Sequence, residues 1–169
     1  MKYLFLLVNF FLLSYFTQGQ CFYQKLSSYK ETGIIIIKEK VEVEGKSKAE
    51  IFEMASTWGL TNISTQYTKP KRNKNLNQII TSNKDIGLFK GTYQINYKYK
   101  NGFRYILFDL TIKAEDNYYQ YTINSFNMNR KPMEEYLRLK SKDKVYNIAF
   151  DDICKKLELL IEDMKNNIK

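Results

Sequence analysis

The sequence predicts an α+β fold: one antiparallel sheet of about five strands with two helices packed on one of its faces, in the order β-α-β-β-β-β-α. Three observations predict it. From Gly91 to Phe126, apolar residues recur at every second position around two turn signals, the period of strands with one buried face. Upstream, a capping sequence opens a short segment of helical period. Downstream, Val145, Ile148, Ala149, Ile153, Leu157, Leu160, Ile161 and Met164 form one helical stripe over about 144–166. Composition agrees, since 14 Tyr and 11 Phe against 7 Gly and 2 Pro favour half-buried strands over a disordered chain.

In chain order, residues 1–19 read as a secretory signal peptide. Met1-Lys2 gives a positive start. Tyr3–Val8 and Phe10–Leu13 give an apolar core broken only by Asn9, and Thr17 and Gly19 stand at −3 and −1 for cleavage before Gln20. This run is too short and too broken for a membrane span, and no later segment approaches a spanning length. The expected product is therefore an exported protein, periplasmic or secreted. Lipid anchoring at Cys21 is the lesser reading, because Gln20 stands where lipidation wants a small residue. The other cysteine is Cys154. An oxidising compartment permits a Cys21–Cys154 disulfide or leaves both as thiols, and the pair makes no metal motif.

Residues 20–33 form a polar lead-in, and 34–169 a single domain. Ile34–Ile37, continuing through Val41 and Val43, is a β-branched strand. Ser47-Lys48-Ala49-Glu50 is a capping box, opening a helix over about 47–59 with Ile51, Phe52, Ala55 and Trp58 on one face and Gly59 as its stop. At that spacing Trp58 is a core residue rather than a ligand-stacking one. Residues 62–75 form a loop carrying Lys69, Lys71, Arg72 and Lys74, without the glycines a phosphate loop needs. Asn62-Ile63-Ser64 matches a glycosylation sequon, a short motif common by chance. Leu76–Thr81 and Ile86–Lys90 read as a short hairpin turning around Asn83-Lys84-Asp85.

The next stretch specifies its own faces. Tyr93, Ile95, Tyr97 and Tyr99 alternate with polar residues up to Asn101-Gly102, the strongest short hairpin signal. A turn on those two residues sets Tyr97 opposite Ile106, Ile95 opposite Phe108 and Tyr93 opposite Leu110. A second turn at Ala114–Asn117 sets Leu110 opposite Tyr121 and Phe108 opposite Ile123. A one-residue slip would scatter the apolar rows over both faces. The other face then reads Thr92-Thr111-Gln120, Gln94-Asp109-Thr122 and Asn96-Leu107-Asn124, with Tyr105 beside them. After Asn127 a polar linker, with a short helical turn after Pro132, leads to the last helix.

Val41–Phe52, Trp58, Asp85–Gly91 and the hairpin Asn101–Tyr105 together resemble an exported domain of unknown function, family 4468, found mainly in Bacteroidetes. The resemblance spans about 34–126. It implies a TATA-binding-protein-like fold and an envelope address but no activity, and the name of the fold does not imply DNA binding.

The chemistry of the chain narrows the rest. No histidine occurs, which excludes Ser-His-Asp and Cys-His catalysis and His-ligated metal sites. The net charge is +9, one less once Lys2 leaves, but an exported protein does not meet a chromosome, so nucleic acid is not the expected partner. No cofactor is expected. Asp109 is the one acid inside the central strands, and the register offers no second carboxylate beside it. The favoured reading is a non-enzymatic binding module of the cell envelope. It would take a protein or glycan on the polar-aromatic face through Gln94, Asn96, Tyr105, Leu107, Asp109, Thr122 and Asn124, or a small apolar ligand between helices and sheet. The alternatives are a hydrolase using acids such as Asp109, and a basic domain binding anionic envelope polymers through Lys69, Lys71, Arg72 and Lys74.

Overall fold

A computed structural model of the chain describes residues 35–65, 78–100, 102–128, 131–133 and 144–169. The elements are β1 (Ile37–Glu42), α1 (Lys48–Thr65), β2 (Gln78–Asn83), β3 (Leu88–Tyr99), β4 (Gly102–Glu115), β5 (Tyr118–Met128), β6 (Lys131–Pro132) and α2 (Lys144–Asn167). They form one antiparallel sheet in the order β1-β5-β4-β3-β2, with β6 added to β5. The predicted order of strands and helices is the observed one, with the two-residue β6 added after β5. The Ile86–Lys90 segment is not a strand of its own, however: Leu88 onward runs straight into β3.

Both helices lie on one face. Ile51, Phe52, Ala55 and Trp58 of α1, and Ala149, Ile153, Leu157 and Met164 of α2, are buried with the odd-numbered residues of β3 and with Ile106, Phe108, Leu110, Ile112 and Ala114 of β4. Ring-on-ring contacts run through this core, stacked in the first two pairs and tilted in the third. Trp58 meets Tyr93 at 6.0 Å, Tyr93 meets Phe108 at 6.0 Å and Phe108 meets Phe126 at 5.7 Å between centroids. Trp58 is thus a core residue, and its indole N–H donates to Asp163 of α2 at 2.7 Å, tying the two helices together.

Gly59 does not stop α1, which continues to Thr65. Its role is close approach: a Cβ there would lie 2.2 Å and 2.5 Å from two carbons of the Phe89 ring, which is fully buried. Asn62 also sits inside this helix, its amide donating to the Trp58 carbonyl at 3.1 Å, which is not the exposed loop a sequon requires.

Both central registers differ from the predicted ones by two residues. Tyr99 pairs with Gly102, so Gly102 belongs to β4 and the turn closes before it; Tyr93 faces Phe108, Ile95 faces Ile106 and Tyr97 faces Arg104. Lys100 adopts φ +51 to make this turn. Next, Glu115 pairs with Tyr118, a tighter turn than predicted, with Asn117 at φ +67, and Leu110 faces Ile123. A two-residue slip keeps every side chain on its predicted face, so face alternation alone cannot detect it. Long-range contacts fix the second turn. The Asn117 N–H donates to the Lys46 carbonyl, the Asn117 carbonyl accepts from Val43 N–H, and Asn117 Oδ1 accepts from Gly45 N–H.

A bulge at Ser125 (φ +56), between the pairs Asp109–Asn124 and Leu107–Asn127, inserts one extra residue into β5. It moves the buried set of β5 from Tyr119, Tyr121 and Ile123 to Phe126 and Met128.

Candidate functional site

The residues that carry the family pattern build the fold. The Ser47 hydroxyl accepts from Glu50 N–H at 3.3 Å, while the Glu50 carboxylate accepts from Ser47 N–H at 2.9 Å. The Ser47 N–H, and the Ser47 hydroxyl donating to the same carboxylate at 2.8 Å, hold the Glu50 carboxyl below the usual glutamate range. Asp116, from the β4–β5 turn, accepts the Lys48 N–H at 2.8 Å. The N-terminus of α1 is therefore occupied by the chain's own carboxylates. Gly87 (φ +65) packs a positive-φ turn against the Ala114 carbonyl, leaving no room for a Cβ.

The outer face of β3, β4 and β5 carries the candidate binding residues. With the observed register its rows are Thr92–Asp109–Asn124, Gln94–Leu107–Asn127 and Asn96–Tyr105, while Thr122 lies one row away opposite Thr111 and Lys38. Face membership agrees with the sequence reading. The rows do not, so Asp109 neighbours Thr92 and Asn124 instead of Gln94 and Thr122.

Gln94 departs from the predicted role. It is only 4% exposed, and its amide donates to Asn96 Oδ1 at 2.7 Å, so it supports the face from within. Asn96 is exposed, whereas Tyr105, Leu107, Asp109, Thr122 and Asn124 are half-buried. Asp109 has both oxygens engaged, accepting from the Thr92 hydroxyl at 2.8 Å and pairing with Lys90 at 3.5 Å. Its cross-strand neighbours, Thr92 and Asn124, give it no second carboxylate, the arrangement paired acid catalysis requires.

Two buried groups were not singled out by the sequence. The hydroxyls of Tyr93 and Tyr119 are buried and lack a hydrogen-bond partner among the described residues. Burial pushes both above the usual phenol range, so they stay protonated. Tyr121, by contrast, donates its hydroxyl to Glu39 of β1, whose other carboxylate oxygen accepts from Lys165 of α2. A Tyr row at strand spacing reports burial but not which hydroxyls find partners.

Cys154 is buried in α2, and Cys21 lies outside the described residues, as do Lys69, Lys71, Arg72 and Lys74. Among the described residues no cluster of three His, Cys, Asp or Glu is placed to hold a metal ion, and no helix is long and apolar enough to cross a membrane.

A sheet backed on one side by two helices, with a polar-aromatic face on the other, defines an α+β domain of TBP-like type. The chain belongs to the DUF4468 family, a domain of unknown function with TBP-like fold, whose model matches residues 38–129. Solved structures agree on the fold. A TBP-like protein from Parabacteroides distasonis ATCC 8503 superposes with a TM-score of 0.59 at 18% identity, over 82% of this chain and 96% of that one. A DUF4468 family protein from Bacteroides ovatus ATCC 8483 gives a TM-score of 0.54 at 15% identity, over 79% and 87%. No curated protein matches the chain.

Proposed function

We propose that this protein is exported to the cell envelope and works there as a non-enzymatic binding module, engaging a protein or glycan through the outer face of its sheet. The observation that carries the reading is the Asn96–Tyr105 pair beside Leu107: an exposed amide, a phenol and an aliphatic side chain grouped on the face opposite both helices. Amides and hydroxyls give directional hydrogen bonds, and a tyrosine supplies amphipathic contact area, the combination used in recognising polar ligands. The leader of residues 1–19 supports the address. The engagement of Asp109 by Thr92 and Lys90 weighs against the hydrolase reading. The packed ring series Trp58–Tyr93–Phe108–Phe126 between helices and sheet favours the outer face over an interior apolar ligand.

The test is capture of envelope proteins and glycans from the native host on immobilised wild type and on an Asn96→Ala/Tyr105→Ala variant, followed by affinity measurement with the purified partner. Wild type should retain a partner that the variant binds at least tenfold more weakly. Equal affinity for every captured partner refutes the outer face as the site.

A further inference from the structure

The two edges of the sheet differ in chemistry. One is β1, which carries Lys38, Glu39, Lys40 and Glu42, four charges in six residues. The other is β2, whose residues Gln78, Ile79, Ile80, Thr81, Ser82 and Asn83 carry none. β2 pairs with β3 along one side. Among the described residues, the only other bonds of Gln78–Asn83 are those that Asn83 Oδ1 accepts from the Asp85 and Ile86 N–H groups of its own turn. One row of backbone groups on β2 is therefore open. Charged side chains or a bulge commonly guard such an edge. β2 has only the bulge, and it leaves Ile80 exposed and without a partner on β3. Apolar side chains gather at the same place. Four of the eight exposed large hydrophobics among the described residues are here: Ile79 and Ile80 on β2, Ile86 in the turn after it, and Leu60 on α1, each between 39% and 52% exposed. Leu60 belongs to the β2 side of α1, because it lies two helical turns beyond Glu53, and Glu53 meets Lys84 of that turn at 3.5 Å. Scattered singly such residues are ordinary, but grouped along an open strand they mark a contact.

We infer that β2 is the interface of a two-fold homodimer, in which the β2 strands of two copies pair antiparallel and join two sheets into one. An antiparallel pair of identical strands has a two-fold axis of its own, so a strand can serve as its own partner provided that no like charges stand opposite each other. β2 meets that condition in every register, because it has no charge. The same pairing covers Ile79 and Ile80 with their own copies and draws the Leu60 side of each α1 toward the axis. The assembly stops at two. Pairing consumes the β2 edge of both copies and leaves β1 at either end, where its four charges oppose further addition. The contact is separate from the outer-face reading, since it does not need Asn96 or Tyr105.

The test is sedimentation equilibrium of the protein, produced in its host, from low micromolar to submillimolar concentration, with hydrogen exchange followed at both ends of that range. A monomer–dimer equilibrium should be seen, with no larger species. Ile79→Lys and Ile80→Lys should each weaken it by at least about tenfold, because each substitution acts twice across the axis, while urea midpoints of the dilute protein stay unchanged. Asn96→Ala/Tyr105→Ala should dimerise as wild type does. The β2 amides that point away from β3 should exchange more slowly in the concentrated sample, and those of β1 should not change. A monomer throughout the range, a dimer that both lysine variants form with wild-type affinity, or β2 amides indifferent to concentration overturns the inference. A chain that stays monomeric but pairs β2 with an extended segment of another protein overturns it in favour of a foreign strand.

Discussion

Replacing Gly59 by alanine sets two effects of opposite sign against each other. In a helix interior, alanine is favoured over glycine by about 1 kcal/mol, and Gly59 carries no left-handed φ that would forbid the change. The new Cβ, however, would stand 2.2 Å and 2.5 Å from two carbons of the Phe89 ring, where carbons in contact keep about 3.5–4.0 Å. Phe89 is fully buried, so its ring has no solvent to swing into. Overpacking of this kind costs about 1–3 kcal/mol and sometimes more. The net expectation is a loss of up to about 2 kcal/mol, read as a fall of up to about 1 M in the urea midpoint at unchanged slope. The decisive measurement is the cycle with Phe89→Leu, which removes the ring. If the clash is the cause, the two substitutions couple by about 2 kcal/mol, and Gly59→Ala turns neutral or stabilising when Phe89→Leu is already in place. A stabilised Gly59→Ala single variant, or a cycle additive within about 0.5 kcal/mol, would refute the reasoning.

Two further outcomes follow from local geometry. Ser125 holds φ +56 at the bulge and is exposed, so Ser125→Gly should be neutral or stabilising by up to about 1 kcal/mol and Ser125→Val destabilising by about 1–2 kcal/mol; thermal unfolding midpoints in the opposite order would count against the bulge. Because its hydrogen bonds to Ser47 lower the Glu50 pKa on folding, the stabilisation they give is whole above the unfolded glutamate value and is lost as pH falls through the lower folded one. The stability gap between wild type and Glu50→Gln, followed by urea unfolding across an acid series, should therefore close on acidification, and a gap that widens in acid would contradict it.

Much of the fold was legible because period-two alternation is a one-dimensional record of burial. Tyr93, Ile95 and Tyr97, with Ile106, Phe108 and Leu110, are assigned to the core by sequence alone and are found there. Register was not legible, because alternation is blind to slips of two. The Asn101-Gly102 signal points to a turn one residue later than the observed one, and what seats the β4–β5 turn is the docking of Asn117 on Val43, Gly45 and Lys46, far away in sequence. Gly59 shows the same limit. A glycine near a helix end reads as a cap, and only the Phe89 ring reveals that its missing Cβ is spatial. The outer face was legible as a set of residues, but the burial of Gln94 and the pairing of Asp109 depend on which neighbours the register delivers.

The pairing of β1 with β5 also orders events in time. Strands β2 to β5 form a meander in which each strand meets its sequence neighbour, whereas β1 must wait for residues 118–123 before any of its ladder exists. Among β1 to β5, the strand that comes first in the chain is thus the last able to pair, since closing so long a loop carries the larger entropic cost. During that wait it is an open edge, and its sequence suits the interval: Lys38, Glu39, Lys40 and Glu42 make it a poor template for a neighbouring chain. Once β5 arrives, Glu39 changes role from solubiliser to fastener, joining Tyr121 and Lys165 and drawing the N-terminal strand, the last hairpin and the C-terminal helix into one closure. A chain built this way cannot close the ladder of its N-terminal strand until residues 118–123 have emerged, so β1 stays unpaired through the synthesis of β2, β3 and β4.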